Sequence, residues 1–324
     1  MFDSRGLVVR GVQFHRRAAQ DTFDTRVTQQ CYEAVGRLFA SRDPHLFDLT
    51  QTDASTPYNL HQLASLSGVA LLTVSVDAGW RVGLLREAGQ NLEAWDGRGS
   101  HKRTAYDKLL RPIELREAGI AIAEQVIERL TYADAGTESA AHNLCGRVIR
   151  HDDPAGTVHV QEAGLSGQVL QHTRRFLNGT EAPDWPLAIA NRDALLETGA
   201  GMCTANSYAP CGDALSQTDA MDNFQTFGYD RAGQLKHSRL TPAGAGQCEK
   251  LLVSDLHYNA MGQIEAEAAG NGVITRHRYD AANGELIELS AHNASKHVSI
   301  RRRRQCAEHR RHRATYPLLQ QSAH

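Results

Sequence analysis

A short pattern recurs along this chain, and recurrence constrains a fold more than any single segment can, because each copy must pack against copies of itself. The unit is an aromatic residue, a glycine four positions on, then a polar residue and a branched aliphatic. It reads YEAVGRL from Tyr32 through Gly36, YAPCGDAL from Tyr208 through Gly212, YDRAGQL from Tyr229 through Asp230 and Gly233, and YNAMGQI from Tyr258 through Gly262. A further copy, YDAANGEL, starts at Tyr279 and carries one extra residue before Gly284. REAGQNL, NLCGRVI, DDPAGTV and GLSGQVL keep the glycine and the aliphatic without the tyrosine, and FDSRGLV and SLSGVAL read as degenerate members.

Elementary chemistry explains such a unit. The Asp or Asn after the tyrosine opens a turn by accepting backbone amides ahead of it, and the glycine supplies the positive φ that a hairpin or bulge needs. Tyrosine and aliphatic flank the turn, and stacked hairpins would place one ring above the next. The tyrosines at 208, 229, 258 and 279 are 21, 29 and 21 residues apart, which suits a strand, a turn, a second strand and a connector. Between turns, VITRHRY alternates: Val273, Thr275, His277 and Tyr279 on one face, Ile274, Arg276 and Arg278 on the other. The chain is therefore expected to be all-β, with antiparallel hairpins stacked into part of a curved shell. One short helix is expected over Pro183–Glu197, where Leu187, Ala190, Ala194 and Leu195 recur at helical spacing before Gly199. Gly119–Ala133 fits a helical period as well, but its place among the repeats favours a strand.

The 324 residues are 41% hydrophobic and 22% charged, which excludes a disordered chain, collagen and a disulfide-dense miniprotein. Thirty-five Lys and Arg against 37 Asp and Glu conceal an asymmetry. From Ser295 onward there are eight bases and the single acid Glu308, leaving 27 bases against 36 acids before it. Two regions follow: a repeat segment over 1–293 and a basic tail over 294–324, expected to be disordered. Neither uniform nucleic-acid attraction nor membrane insertion is expected: the body is acidic, and the longest apolar run, VALLTVSV, is far short of a spanning helix. The start, MFDSRGLVVRGVQF, lacks the basic and apolar regions of a Sec signal peptide. The six cysteines form no CxxC pair and read mostly as reduced thiols; Cys203 and Cys211 could pair across a hairpin in an exported chain.

Catalytic signatures are missing: there is no GxSxG, P-loop or HExxH, and no GxGxxG opens a suitable helix. Neither a cofactor nor a metal is expected. Cys306, His309 and His312 lack the second ligand pair that zinc wants. The RRRR run from Arg301 could hold polyanions by counterion release but reads as a solvated tail. DPAG over Asp153–Gly156 reads as a repeat turn.

At YDRAGQL, YNAMGQI and YDAANGEL the pattern resembles the RHS, or YD-repeat, superfamily. DSRGLVVRGVQFHR, followed by DTRVTQQCYEAVGRLFASRDPHLFD, is similar to the opening of the C component of bacterial insecticidal toxin complexes. DAGWRVGLL and GNGVITRHRYD have counterparts there too, so the resemblance spans roughly residues 1–293. It implies a hollow β-shell, completed by a B component, that encloses a toxic C-terminal domain. A self-cleavage module frees that domain for passage through the pore of an A component. It also implies a structural, non-enzymatic role, made in the cytoplasm and exported without Sec into an extracellular complex. DPAG matches the Asp-Pro-x-Gly element of the self-cleavage core only superficially, lacking the rest of that core upstream. Members continue far beyond the point matching Asn293, where this chain turns to NASKHVSIRRRRQCAEHRRH; the change predicts a truncated or frameshifted product. The residues expected to matter are architectural: Tyr32, Gly36, Tyr208, Gly212, Tyr229, Asp230, Gly233, Tyr258, Gly262, Tyr279 and Gly284. Two other readings compete, a repeat module that binds glycans or cell surfaces and a chain that cleaves itself.

Overall fold

Alternating sequence and frequent tight turns produce strand after strand, each paired with the next. The computed structural model describes residues 1–301 except 17, 19, 245, 247 and 294–296. The described chain holds 22 strands and three short helices. The strands belong to one antiparallel sheet, and spatial contacts divide the chain into two units.

Unit 1 comprises Met1–Thr131, Arg150–Thr157 and Leu177–Leu196. Its meander runs β1 (Arg10–His15), β2 (Asp24–Tyr32), β3 (Leu38–Arg42), β4 (Leu60–Ala64), β5 (Ala70–Ser75), β6 (Gly79–Leu85), β7 (Asn91–Asp96), β8 (His101–Tyr106), β9 (Pro112–Gly119) and β10 (Ile122–Tyr132). Every strand is antiparallel to its successor. Unit 2 comprises Tyr132–Ile149, Val158–Phe176 and Glu197 onward. There β13 (Val169–Phe176), β14 (Met202–Tyr208), β15 (Ala214–Thr218), β16 (Phe224–Tyr229) and β17 (Leu235–Thr241) pair in order. They continue through β18 (Lys250–Tyr258), β19 (Ile264–Ala269), β20 (Ile274–Tyr279), β21 (Leu286–His292) and β22 (His297–Arg301). The residues of β11 (Val148–Asp153) and β12 (Gly156–Ala163) are shared between the units. Both units draw on the repeat segment read over 1–293.

Gly119–Ala133 is strand, as its repeat context implies: β9 and β10 reverse through Ala121 at φ 62°. The expected alternation on β20 is also present, with Arg276 and Arg278 exposed and Thr275, His277 and Tyr279 half-buried. The helix expected over Pro183–Glu197 shrinks to α3, Ile189–Asp193. Trp185 explains the shortening: its amide donates to Val126 O at 2.9 Å instead of to a helical carbonyl, and the helix starts only after the extended Ala188. Two helices that the sequence reading did not anticipate join it, α1 (Pro44–Leu49), whose start is marked by the Asp43 cap and Pro44, and α2 (Thr137–Ala141).

Hydrophobic burial is sparse and local, as expected for a sheet covered on few of its faces. In unit 1 Val126, Trp185 and Leu196 are buried together, with Leu177 packed against them. In unit 2 Ala133, Leu144 and Ala163 form the corresponding cluster, with Ile149 and Val160. The described cysteines, Cys31, Cys145, Cys203, Cys211 and Cys248, are all free thiols, so Cys203 and Cys211 are not joined. Cys306, His309 and His312 lie outside the described residues, as does the expected disorder of the tail.

Candidate functional site

The recurring unit builds one turn, repeated with nearly constant hydrogen bonds. At Asp230 the backbone amide donates to Gln234 O at 2.9 Å and the Gly233 amide returns to Asp230 O at 3.2 Å. The Asp230 carboxylate accepts the amides of Ala232 at 2.8 Å and Gln234 at 3.0 Å. Asn259 makes the same set with Met261, Gly262 and Gln263. The fourth residue is left-handed, with φ 79° at Gly233 and 78° at Gly262, and the ladder slips there so that Tyr229 faces Leu235. This is a three-residue hairpin loop closed by a glycine bulge.

Gly36, Gly212 and Gly284 hold the same left-handed place, and FDSRGLV and SLSGVAL close identical turns through Gly6 and Gly68. The residue inserted before Gly284 widens its turn by one, so that Asp280 N reaches Glu285 O. DPAG is a hairpin turn: the Asp153 carboxylate accepts the Ala155 amide at 2.8 Å, between β11 and β12.

The tyrosines do not stack ring on ring. Among the described residues, none of Tyr32, Tyr208, Tyr229, Tyr258 and Tyr279 has another of the set as a ring partner; Tyr279 lies over His277 instead. Their hydroxyls do the joining. Tyr229 donates to Ala214 O at 2.8 Å, Tyr258 to Leu235 O at 2.8 Å, and Tyr279 to Ile264 O at 3.1 Å. Each acceptor lies two residues past the previous turn's glycine, so every bond ties one hairpin to the one before it. Tyr32 bonds within its own strand, to Gln30 Oε1 at 2.8 Å, and Tyr208 stands opposite Ala214. Burial raises the phenol pKa of Tyr229 and Tyr258, helped by the charges of Asp213 and Asp230 respectively.

The residue after the glycine supplies the opposite link. Gln263 Nε2 donates forward to Gly284 O at 3.0 Å, Arg37 to Ser65 O at 2.8 Å and Leu66 O at 2.6 Å, and Arg147 to Gly167 O at 2.6 Å. A Cβ built on Gly68, Gly212 or Gly262 would lie 3.5, 3.3 or 3.6 Å from Arg37, Gln168 or Gln234, the post-glycine residue of the preceding turn. The Asn259 turn thus reaches back through the Tyr258 phenol and forward through the Gln263 amide, and other turns carry one or the other of these links.

Sequence reasoning missed Tyr106. YDKLLRP makes the same turn with Leu110 at φ 60° in the glycine's place, Asp107 accepting the amides of Leu109 and Arg111, and Tyr106 donating to Asn91 O at 2.5 Å. The Tyr-Asp pair was the available signal. Asp219 closes another such turn through Asp222, also at φ 60°, with no tyrosine before it. Hydrogen bonding to backbone amides holds the Asp96 and Asp107 carboxyls below the usual carboxylate range. Among the described residues no group of three or more His, Cys, Asp or Glu could hold a metal, and no helix is long and apolar enough to cross a membrane. The site is a stitched rim of turns, organised to join hairpins.

No family model matches the chain. Toxin subunit YenC1 of Yersinia entomophaga is 32% identical over 305 residues, covering 92% of this chain and 31% of the relative. Toxin subunit YenC2 of the same organism is 28% identical and covers 92% of this chain and 32% of the relative. The chain therefore spans about a third of the length of these curated relatives. Among solved structures, a crystal structure of TcdB2-TccC3 matches with a TM-score of 0.84 and 32% identity, over 92% of this chain and 15% of that one. The Photorhabdus luminescens Tc holotoxin pore matches with a TM-score of 0.84 and 32% identity, over 93% and 14%.

Proposed function

We infer that this chain, which is homologous to the C-type YD-repeat subunits of insecticidal toxin complexes, is a wall segment of such a complex and works without catalysis. In this reading the hairpin ladder is part of a curved shell that, with a B-type partner, encloses a toxic polypeptide, shields it from proteases and keeps it from aggregating. Delivery then runs through an A-type pore, outside the producing cell. The observation that carries the reading is the stitching of successive turns, by phenols that reach back and by amides or guanidiniums that reach forward. It spends the motif's polar groups on joining hairpins, and a surface built that way extends by repetition. The hydroxyls of Tyr229, Tyr258 and Tyr279 spend their protons on backbone carbonyls of the neighbouring hairpin, a use that favours joining hairpins over binding a sugar. A closed shell also covers sheet edges that would otherwise be exposed to wrong pairing.

Coexpression with a B-type subunit tests this. A stable coeluting complex, with better recovery of the chain than when it is expressed alone, is expected. Recovery of a well-behaved monomer that ignores the B-type subunit would refute the shell role. Self-cleavage is tested separately by intact mass: an uncut chain, identical for Asp153→Asn, is expected, and a fragment ending at residue 153 that vanishes in the variant would overturn the non-catalytic reading.

A further inference from the structure

The connection between β13 and β14 departs from the ladder. Leu177–Leu196 belongs to unit 1, although both flanking strands belong to unit 2. Its ends meet: Leu177 and Leu196 form an isolated bridge, and Asn178 N donates to Leu195 O at 2.9 Å. It lends no strand to the meander, so lifting it breaks no ladder.

Its attachment to unit 1 has an apolar part and an ionic part. Trp185, with none of its surface exposed, packs with Val126 and Leu196, and its indole donates to Asp153 O at 3.2 Å. Arg129 Nε donates to Trp185 O at 2.7 Å. Beside this lies Asp152, also wholly buried, held by Arg150 Nε at 2.8 Å and Thr157 Oγ1 at 2.5 Å from its own hairpin and by Arg192 from the loop. Arg150 reaches Asp193 on the loop at 2.8 Å.

The charges partition evenly. Docked, the group holds two arginines and two aspartates. Undocked, Arg150 keeps Asp152 and Thr157 on the hairpin, while Arg192 and Asp193 leave together. Neither state strands a buried charge, the usual heavy penalty for separating a buried ion pair. The docked state also leaves Arg150 Nη2 and Arg192 Nε buried without a partner, which costs it stability. We propose that Leu177–Leu196 is a strap with two states, docked and lifted, that opens independently of the strands beneath it and uncovers Trp185 and the apolar floor of Val126. The proposal rests on this local geometry and stands apart from the shell reading.

Hydrogen exchange on the full-length chain, read by mass spectrometry at near-neutral pH, tests it without any variant. The Trp185 amide, which docking holds to Val126 O, should exchange at least tenfold faster than those of β11 and β12. Arg192→Met, which removes the loop's ionic anchor, should speed strap exchange a further tenfold and leave β14–β17 unchanged. Thermolysin cutting between Leu177 and Leu196 should rise in step. Exchange of strap and β11–β12 at one common rate would show a single cooperative body and overturn the proposal. So would an Arg192→Met effect spread equally over β14–β17.

Discussion

Left-handed residues set the tightness of each reversal, and the chain carries its own comparison. Gly233 occupies that place without strain, whereas Leu110 holds it at φ 60° with a Cβ that clashes with its own backbone. Leu110→Gly should therefore stabilise the chain. Relief of about 1–2 kcal/mol exceeds the roughly 0.4–1 kcal/mol that glycine adds in unfolded-chain entropy. A urea midpoint that falls instead would show the turn is held by the leucine side chain. Tyr258 gives a pH-dependent counterpart. Its hydroxyl must keep its proton to donate to Leu235 O, and burial, with the nearby charge of Asp230, raises its pKa above the ordinary 10.0. A raised folded pKa means the contribution is complete below pH 10 and fades as pH climbs through the folded value. Tyr258→Phe should cost about 1 kcal/mol at pH 8 and flatten the loss of stability above pH 10, measured by urea melts across that range.

Hairpins were legible because glycine and tyrosine mark them; the links between hairpins were not. The sequence displays Gln263 only as a polar residue after a glycine, and its amide bond to Gly284 O depends on how closely successive turns approach. The same proximity sends Tyr279 to a carbonyl of the preceding hairpin instead of to a neighbouring ring. Turns with a leucine or aspartate in the left-handed place escaped notice for a related reason: the Asp107 and Asp219 carboxylates organise them as Asp230 does, without requiring glycine. The helix over Pro183–Glu197 was overestimated because apolar spacing says nothing of the pull that Val126 exerts on Trp185. If the forward link holds hairpins together, Gln263→Ala should lose about 0.5–1.5 kcal/mol and raise amide exchange chiefly along β19 and β20. Gln234→Ala should cost less, because Gln234 Nε2 reaches the Gly262 turn, 3.6 Å from where a Cβ would stand, without a hydrogen bond across the gap among the described residues. Equal effects would mean the column of turns is packing alone.

A repeat array stabilised by nearest-neighbour contacts need not unfold in one step, since each unit answers first to its own contacts. Here the two units have separate apolar clusters, and tryptophan distinguishes them. Trp80, Trp95 and Trp185 all lie in unit 1, so tryptophan fluorescence follows that unit, whereas far-ultraviolet circular dichroism follows both. Leu144 belongs to the unit 2 cluster and is buried. Leu144→Ala should remove roughly 2–5 kcal/mol from that cluster. The dichroism melt should then begin earlier and split, with the fluorescence midpoint unmoved. Urea titration read by both signals on the same sample decides it. A fluorescence midpoint that shifts with the dichroism would show that the units unfold as one, with the ladder carrying the loss from hairpin to hairpin.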